Sequence, residues 1–424
     1  MPKQHYSIGF ASSMFQTSGP RCGDSDWTED ARRGGVPDST QPKPLWDNID
    51  ERLDRMKDVG ANIFRISIEW SHVEPTPGHF DEAVLAQYEH LIDGCIARGI
   101  QPMLTLHHFA SPLWFSEKGG FEREENIQDF VNYCKTVFSR LSAKVPLWCT
   151  INEPAVLAMM GYYLGKFPPH RKDTHMTVTV LKHLLQAHVD VYQALKAMPN
   201  GEQAQIGIVH NVLKFKPLYS LDPIARVVSN TFNPISNELV MDFFKTGHFE
   251  FNRICGRDIQ YSNALATTSN DFFGLNFYAN AIVGPNLTNI YGPTCRKGQI
   301  MGDMFLPVDP EGLGEALDDF SELGKPIYIT ETGVADHSDH IRQQLLPLYF
   351  KVVDEKRKAG QDIQAVCMWT EQDNYEWNEG NTKSFGFFDR DGKARPSVEV
   401  LKKIIRDHTV TEQPQPESAN VFSV

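Results

Sequence analysis

The feature that most constrains the fold is an eightfold alternation of short apolar segments with amphipathic helical patterns. The apolar segments predict strands at residues 7–12, 62–68, 101–106, 147–151, 205–210, 271–277, 327–330 and 365–369. Helical patterns lie between them, for example at 46–59, 83–98, 127–142 and 175–197. Strands that are apolar along their whole length are typical of parallel sheets covered by helices. Eight such units predict an α/β fold, a single (β/α)8 TIM barrel with elaborated βα loops, rather than an open doubly wound sheet.

The domain organisation follows from the same pattern. A chain of 424 residues would fit two or three average domains, but barrels of this kind fill that length as one. No Gly/Ser-rich or Pro-rich linker interrupts the middle of the chain. We therefore expect one barrel domain over residues 1–408, followed by a flexible C-terminal tail over residues 409–424.

Charge and cysteine usage exclude several classes of partner. The chain has 41 basic and 54 acidic residues, a net charge of −13, which argues against a nucleic-acid partner and against docking on an anionic membrane. The seven cysteines are scattered and form no C-x-x-C pair, so a disulfide scaffold or a zinc ribbon is not expected. The first residues do not resemble a signal peptide, and we expect a cytoplasmic protein.

No cofactor or metal is predicted. A G-x-G-x-x-G or G-x-x-x-x-G-K-[ST] loop follows none of the strands, so the phosphate-binding signal of nucleotide cofactors is missing. His107 and His108 are adjacent rather than at metal-ligand spacing, and no H-E-x-x-H occurs. We interpret His107 as a core histidine.

Six of the predicted strands end in polar side chains. The polar residues are Arg65 and Glu69 at the second strand, His107 and His108 at the third, Asn152 and Glu153 at the fourth, Asn276 and Tyr278 at the sixth, Glu331 at the seventh, and Thr370 and Glu371 at the eighth. The carboxyl ends of barrel strands open onto one mouth, where the active sites of such barrels lie. One polar strand end is routine, but six around one mouth are hard to explain by packing and predict a site.

Two carboxylates in this set suggest a reaction. Glu153 and Glu331 directly follow the fourth and seventh strands, which face each other across an eight-stranded barrel. Either one alone would be explained as a helix-cap partner or a surface ion pair. Together they fit glycoside hydrolysis, in which the carboxyls lie about 5–5.5 Å apart for retention and farther apart for inversion. The sequence leaves that separation open.

At these segments the chain resembles glycoside hydrolase family 1, the retaining β-glucosidases and related β-glycosidases. The resemblance lies in six segments that occur in the same order: residues 11–16 (ASSMFQ), 64–70 (FRISIEW), 105–109 (TLHHF), 148–154 (WCTINEP), 329–333 (ITETG) and 369–377. It implies that Glu331 is the nucleophile and that Glu153 is the general acid and later the general base. Arg65 and Tyr278 would hold the charge of Glu331, and Asn152 would bind the sugar 2-hydroxyl.

The resemblance also implies a set of substrate-binding residues and no cofactor. The set is Gln16, His108, Phe109, Asn152, Asn276, Trp369, Glu376, Trp377 and Phe385. A lone Trp369 would more often be a core residue than a stacking platform. Phe109 stands where many members carry Trp, which removes one donor to the sugar. Glu376 stands where members that act on 6-phosphorylated sugars lack a Glu, so we expect unphosphorylated glycosides.

These observations predict a retaining exo-acting β-glycosidase. A β-glucosidase acting on terminal non-reducing β-D-glucosyl residues, with galactosyl or fucosyl residues also accepted, fits best. Its partner would be a small-molecule β-glycoside or oligosaccharide, and homo-oligomerisation is left open. One alternative is a transglycosylase that uses the same site. Another is a non-catalytic carbohydrate-binding barrel, against which the retention of both Glu153 and Glu331 argues.

Overall fold

Eight parallel strands close into a barrel in the computed structural model, which describes residues 5–252, 258–285 and 292–410. They are β1 (Ser7–Ser12), β2 (Ile63–Ser67), β3 (Gln101–His107), β4 (Leu147–Asn152), β5 (Gln205–Asn211), β6 (Phe272–Phe277), β7 (Ile327–Thr332) and β8 (Ile363–Trp369). Each strand pairs with the next along the chain, and β8 closes the barrel against β1. The predicted fold class is confirmed, and the predicted strands differ from these by at most two residues at either end.

The helices connect the strands and pack on the barrel and on one another. The α-helices are Met14–Ser18, Asp26–Arg33, Ile49–Val59, Trp70–Val73, Glu82–Ala97, Leu113–Glu117, Ile127–Leu141, Pro154–Ala158, Thr174–Lys196, Pro223–Asn233, Leu239–Thr246, Pro310–Ser321, His340–Lys358 and Ser397–Val410. Asp81 and Asp173 cap two of the long ones by accepting hydrogen bonds from free backbone N–H groups at the helix start. The helix predicted from residue 46 begins at Ile49, because Leu45–Asp47 forms a separate 3₁₀ turn.

Two clusters of buried side chains form the core. The larger one includes Phe64, Leu104 and Ile151 of the strands together with apolar faces of the helices. The smaller one draws on alternate strand positions, among them Ile63, Met103 and Val209. Successive side chains of a strand point to opposite faces, so these positions fill the barrel interior. A filled interior leaves the mouth as the place for a ligand.

The loops after β5 and β6 carry additional structure on the side of the mouth. Phe215–Pro217 follows β5 and pairs with Ala281–Gly284, which follows β6 and also pairs with Gly292–Thr294. A hairpin of His248–Phe251 and Ile259–Ser262 lies in the same long excursion. The three-stranded sheet belongs to the elaborated βα loops that the sequence predicts, whereas the hairpin lies between the helix Leu239–Thr246 and β6.

Some predictions fall partly outside the described residues. Residues 411–424, which make up most of the predicted tail, and Cys255 lie there. The domain bounds therefore stay a prediction. The other six cysteines are free thiols, and Cys295 alone among these six is exposed. Within the described chain, no helix is long and apolar enough to cross a bilayer.

Candidate active site

Glu331, near the end of β7, is held by two donors at the barrel mouth. The Arg65 Nη1 lies 2.5 Å from Glu331 Oε1, and the Tyr278 hydroxyl donates to Oε2 at 2.8 Å. Arg65 is itself oriented, because its Nε donates to Thr105 Oγ1 at 3.0 Å and its Nη2 donates to Asn152 Oδ1 at 2.7 Å. Arg65 is 1% exposed and Glu331 is 3% exposed. Both oxygens of the Glu331 carboxylate therefore face a cation or a hydroxyl, and both charged side chains are almost fully buried.

Glu153 directly follows β4 and has a different environment. Its Oε1 accepts a hydrogen bond of 2.6 Å from the Asn276 amide, and no cation contacts it among the ion pairs of the described residues. Its backbone is left-handed, with φ 47°, and its N–H donates to Val209 O at 2.9 Å. Pro154 is the first residue of the next helix, where a backbone N–H, which proline lacks, would have no partner within the helix. A non-glycine residue in this backbone region is strained, and such strain is typical of functional sites.

The two carboxyls differ in their affinity for a proton. Burial, followed by the charge of Glu331, raises the pKa of Glu153 to about 8. Burial also raises the pKa of Glu331, but the Arg65 guanidinium and the Tyr278 hydroxyl act in the opposite direction. The charge of Glu331 contributes to the raised pKa of Glu153, so the two carboxyls do not both ionise easily and the pair holds one proton near neutral pH. Because Glu331 has the cation, that proton resides on Glu153.

Asn276, at the end of β6, links the two halves of the site. Its Nδ2 donates both to Glu153 Oε1 and to Asn152 Oδ1, at 2.6 and 3.2 Å. Its Oδ1 accepts from the Thr330 hydroxyl at 2.7 Å, which fixes the orientation of the amide. Its side chain also lowers the pKa of Glu331. The sequence places Asn276 among sugar-binding residues; the structure gives it a position between the two carboxyls.

Gln16 and His108 each present a buried polar atom without a hydrogen-bond partner among the described residues. Gln16 donates through Nε2 to Tyr375 O at 2.8 Å, and its Oε1 has no donor. Asn152 uses its oxygen for Arg65, so its Nδ2 donates to His108 Nε2 at 3.3 Å. Burial lowers the pKa of His108, so the ring is neutral and its Nδ1 carries a proton that is not donated. An unmet acceptor and an unmet donor suit the hydroxyls of a sugar.

Aromatic rings surround these groups. The Trp369 and Trp377 rings both lie nearly parallel to the His108 imidazole, with centroids 5.9 and 6.1 Å away. Phe109 contacts Trp377 edge to face at 5.1 Å, and both residues have positive φ angles. Phe385 lies 5.8 Å from the Tyr278 ring. The structure thus brings all the predicted aromatic site residues to the mouth, where an indole face suits the C–H face of a pyranose.

Glu376 lies beside Gln16, with 3.5 Å between Gln16 Nε2 and Glu376 Oε2. Burial, and then the charge of Glu331, raises the pKa of Glu376 to about 8. The carboxyl is therefore mostly protonated at pH 7 before a sugar binds. The prediction of unphosphorylated substrates depends on repulsion between the Glu376 charge and a sugar phosphate. That repulsion becomes strong only above about pH 8, where the carboxyl loses its proton.

One further predicted residue, His107, lies in the core, and one residue near Glu153, Asn211, was missed by the sequence analysis. His107 is buried and contacts the Ser111 hydroxyl at 3.0 Å, as expected for a core histidine. Asn211 lowers the pKa of Glu153 by a hydrogen bond, yet the sequence prediction ends that strand one residue earlier. A polar residue at the very end of β5 was the available signal. Across the described ranges, no group of three His, Cys, Asp or Glu side chains is placed to hold a metal ion.

Comparison with known proteins adds to this geometry. The sequence model of glycosyl hydrolase family 1 matches residues 44–407. A solved β-glycosidase from Pyrococcus horikoshii superposes with a TM-score of 0.83 at 30% identity, covering 96% of either chain. Beta-glucosidase A of Acetivibrio thermocellus is 26% identical over 382 residues, 84% of this chain and 83% of that protein. The chloroplastic galactolipid galactosyltransferase of Arabidopsis thaliana is 26% identical over 401 residues, 87% of this chain but 59% of the relative's length.

Proposed function

The chain belongs to glycosyl hydrolase family 1 and is a glycoside hydrolase, and on that premise we propose that it is a retaining exo-acting β-glucosidase that works by double displacement. The observation that carries the assignment of roles is the asymmetry of the two carboxyls. Glu331 faces Arg65 and Tyr278, whereas Glu153 faces an amide. The first environment favours an anion that attacks, and the second favours an acid that holds its proton.

In the first step a Glu331 oxygen attacks the anomeric carbon as the bond to the leaving oxygen breaks. Glu153 gives its proton to that oxygen, so the leaving group departs as an alcohol and Glu331 becomes an ester. The raised pKa of Glu153, about 8, keeps it protonated at neutral pH. Asn276 holds the carboxyl in place through the 2.6 Å hydrogen bond.

In the second step the same groups exchange roles. Esterification removes the negative charge of Glu331, which is the second largest cause of the raised pKa of Glu153. The pKa of Glu153 therefore falls, and Glu153 accepts a proton from the water that attacks the anomeric carbon. The ester bond to Glu331 breaks, and two inversions give a product with the original β configuration.

The sugar preference rests on neutral hydrogen-bonding groups. Gln16 offers an acceptor and His108 a donor, neither satisfied within the described protein, and Trp369 offers a stacking face. The β-glucosidase relative supports glucose, and acceptance of galactosyl and fucosyl residues is part of the proposal. A panel of nitrophenyl β-glycosides, including the 6-phosphoglucoside, tests this preference through kcat/KM. The cytoplasmic location and any homo-oligomer stay predictions.

The experiment that tests the mechanism is Glu331→Ala with added azide. Hydrolysis of 4-nitrophenyl β-glucoside is expected to fall by several orders of magnitude. Azide fits the space left by the carboxylate, so turnover should return with α-glucosyl azide as the product. Exposed Glu322→Ala is the control and should keep wild-type turnover. Hydrolysis that survives in Glu331→Ala, or a β-configured azide product, would contradict the mechanism.

Transfer of the glycosyl group to an alcohol is a second candidate. It is favoured by the similarity to a protein named as a galactolipid galactosyltransferase, and it needs the same ester on Glu331. Released nitrophenol and free sugar are compared while an alcohol acceptor is raised in concentration. Equal amounts of both products indicate hydrolysis, whereas a deficit of free sugar, matched by alkyl glycoside, indicates transfer.

A further inference from the structure

His170 joins two loops at the barrel mouth. Its Nε2 lies 2.7 Å from Oδ2 of Asp30, which belongs to the helix Asp26–Arg33 in the loop after β1. His170 itself belongs to residues 159–173, which follow β4 and its short helix. Among the hydrogen bonds and ion pairs of the described residues, this contact is the one that connects that helix with residues 159–173. The two side chains are 34% and 16% exposed, so solvent screens the pair only in part.

Both ring nitrogens of His170 face oxygens that only accept hydrogen bonds. Nε2 faces the Asp30 carboxylate, and Nδ1 lies 3.1 Å from Gly165 O. A neutral imidazole has one N–H and can donate to one of these oxygens, whereas an imidazolium donates to both. The contact is therefore complete only while His170 is protonated. Histidine side chains change charge between about pH 5 and 8.

The backbone holds His170 in a left-handed turn. Its φ is 57°, a region that non-glycine residues rarely occupy, although histidine and asparagine occupy it more often than most. Its N–H donates to Phe167 O at 2.8 Å, which closes a tight turn. A side chain held by a strained backbone is typical of functional positions.

Four elements bring charged or titratable groups near the contact. The segment of His170 carries Lys166, Arg171 and Lys172, the facing helix carries Asp26, Glu29, Arg32 and Arg33, the loop after β3 carries Glu122, which pairs with Arg171 at 2.7 Å, and the loop after β8 carries Tyr375. Burial raises the pKa of Asp26 to about 7, so this carboxyl gains its charge over the pH range in which a histidine loses its own. A nearby negative charge favours an imidazolium, so ionisation of Asp26 opposes the loss of the contact.

Each of the two loops carries an aromatic ring that packs against the predicted sugar-binding residues. Trp27, in the helix after β1, lies 4.5 Å from the Trp377 ring. Phe167, in the segment after β4, lies 4.9 Å from the Trp27 ring and 5.6 Å from the Phe109 ring. Phe109 and Trp377 in turn lie 5.3 and 6.1 Å from the His108 ring. The two loops thus meet on the aromatic residues of the sugar site.

We propose that protonated His170, paired with Asp30, is a positioning residue that holds the two loops together and so keeps Phe109 and Trp377 in the arrangement that binds the sugar. The proposal rests on the proposed function, because that function assigns these two rings to the sugar. Contacts that hold the sugar equally before and during the reaction change KM and leave kcat unchanged. The His170 contact is present at low pH and is lost as the histidine loses its proton, so its contribution to sugar affinity should disappear as the pH rises.

The test is His170→Asn, because asparagine tolerates the left-handed backbone but does not titrate. Values of kcat and KM for 4-nitrophenyl β-glucoside are measured for this variant and the wild type at pH 5 and pH 8.5. A partly exposed ion pair changes an equilibrium constant by at most about fivefold. The KM of the variant should be about threefold to fivefold above that of the wild type at pH 5 and equal to it at pH 8.5, with kcat unchanged at both. Titration of the carboxyls occurs in both enzymes and cancels in this ratio.

Two further variants support the comparison. His90→Asn is the matched control, because His90 Nε2 also contacts an aspartate, Asp50, at 3.2 Å, but on two outer helices; its KM should equal that of the wild type at both pH values. Asp30→Asn removes the charge of the other partner and should raise KM at pH 5 as His170→Asn does. The double variant should be no worse than either single one, because both remove the same contact. Asp30→Asn carries the same test if His170→Asn does not fold.

An unchanged KM at pH 5 overturns the proposal, and so does an increase that persists at pH 8.5, since a packing role has no such pH dependence. Additive effects of the two substitutions, or a lower kcat at unchanged KM, overturn it as well. Binding of 4-nitrophenyl 1-thio-β-glucoside, measured by calorimetry, needs no turnover. If the nitrophenyl glucoside is not hydrolysed but the dissociation constants show the same pH-dependent ratio, the proposed function alone is overturned.

Discussion

Removal of one hydroxyl, in Tyr278→Phe, tests how the charge of Glu331 is held. The Tyr278 hydroxyl donates to Glu331 Oε2 at 2.8 Å, while Arg65 occupies the other oxygen. A hydrogen bond to a charged group contributes about 1.5–3 kcal/mol. Each 1.4 kcal/mol corresponds to about a tenfold change in rate, so kcat/KM should fall about 10- to 150-fold.

The pH profile of kcat/KM shows whether the Tyr278→Phe substitution acts on Glu331 or on Glu153. The hydroxyl is among the groups that lower the pKa of Glu331, and its removal raises that pKa. Glu331 must be ionised to attack, so the acidic limb of kcat/KM should move to higher pH while the alkaline limb, assigned to Glu153, changes little.

The assay is kcat/KM for 4-nitrophenyl β-glucoside between pH 4 and 9. Tyr192→Phe is the matched control, because its hydroxyl also donates to a carboxylate, Asp271, at 2.9 Å but belongs to the helix Thr174–Lys196. This control should keep the wild-type profile. A Tyr278→Phe enzyme within twofold of wild type, with the acidic limb in its original place, would refute the assigned role of the hydroxyl.

Three further predictions concern charges. Glu153→Gln should abolish the alkaline limb of the pH profile near pH 8, because glutamine has no proton to lose. The substrate for this test is 2,4-dinitrophenyl β-glucoside, whose leaving group departs without an acid. An alkaline limb that persists would show that another group causes it. Glu331→Gln should lower the pKa of Glu153, although burial keeps that pKa above the ordinary value for glutamate. The pKa is measured by carbon NMR of labelled glutamate. An unchanged titration of Glu153 would contradict the coupling between the two carboxyls. Arg52→Met should lower the free energy of unfolding in urea by up to about 3 kcal/mol, because it removes one of the two arginines that pair with buried Glu371, at 2.6 Å, and leaves Arg55 at 3.0 Å. The exposed Arg21→Met should cost under about 1 kcal/mol, and equal losses would contradict this reasoning.

The sequence by itself determined the barrel. Strands buried on both faces must be apolar throughout, so eight such runs separated by helices identify eight parallel strands without knowledge of contacts. Even the site was visible in outline, since Arg65, Glu153 and Glu331 stand at strand ends that a barrel turns to one mouth. The end of β5 was misjudged by one residue, and Asn211 was missed with it.

Only the tertiary structure decided how the site residues divide the work. Glu153 and Glu331 stand at the ends of similar strands, and nothing local distinguishes them except the resemblance to a family. The difference arises because barrel closure places Arg65 and Tyr278 against one carboxyl and Asn276 against the other. Contacts between residues 53 to 266 positions apart, and the burial that comes with them, set the pKa values. These are properties of the packed fold that no sequence pattern carries.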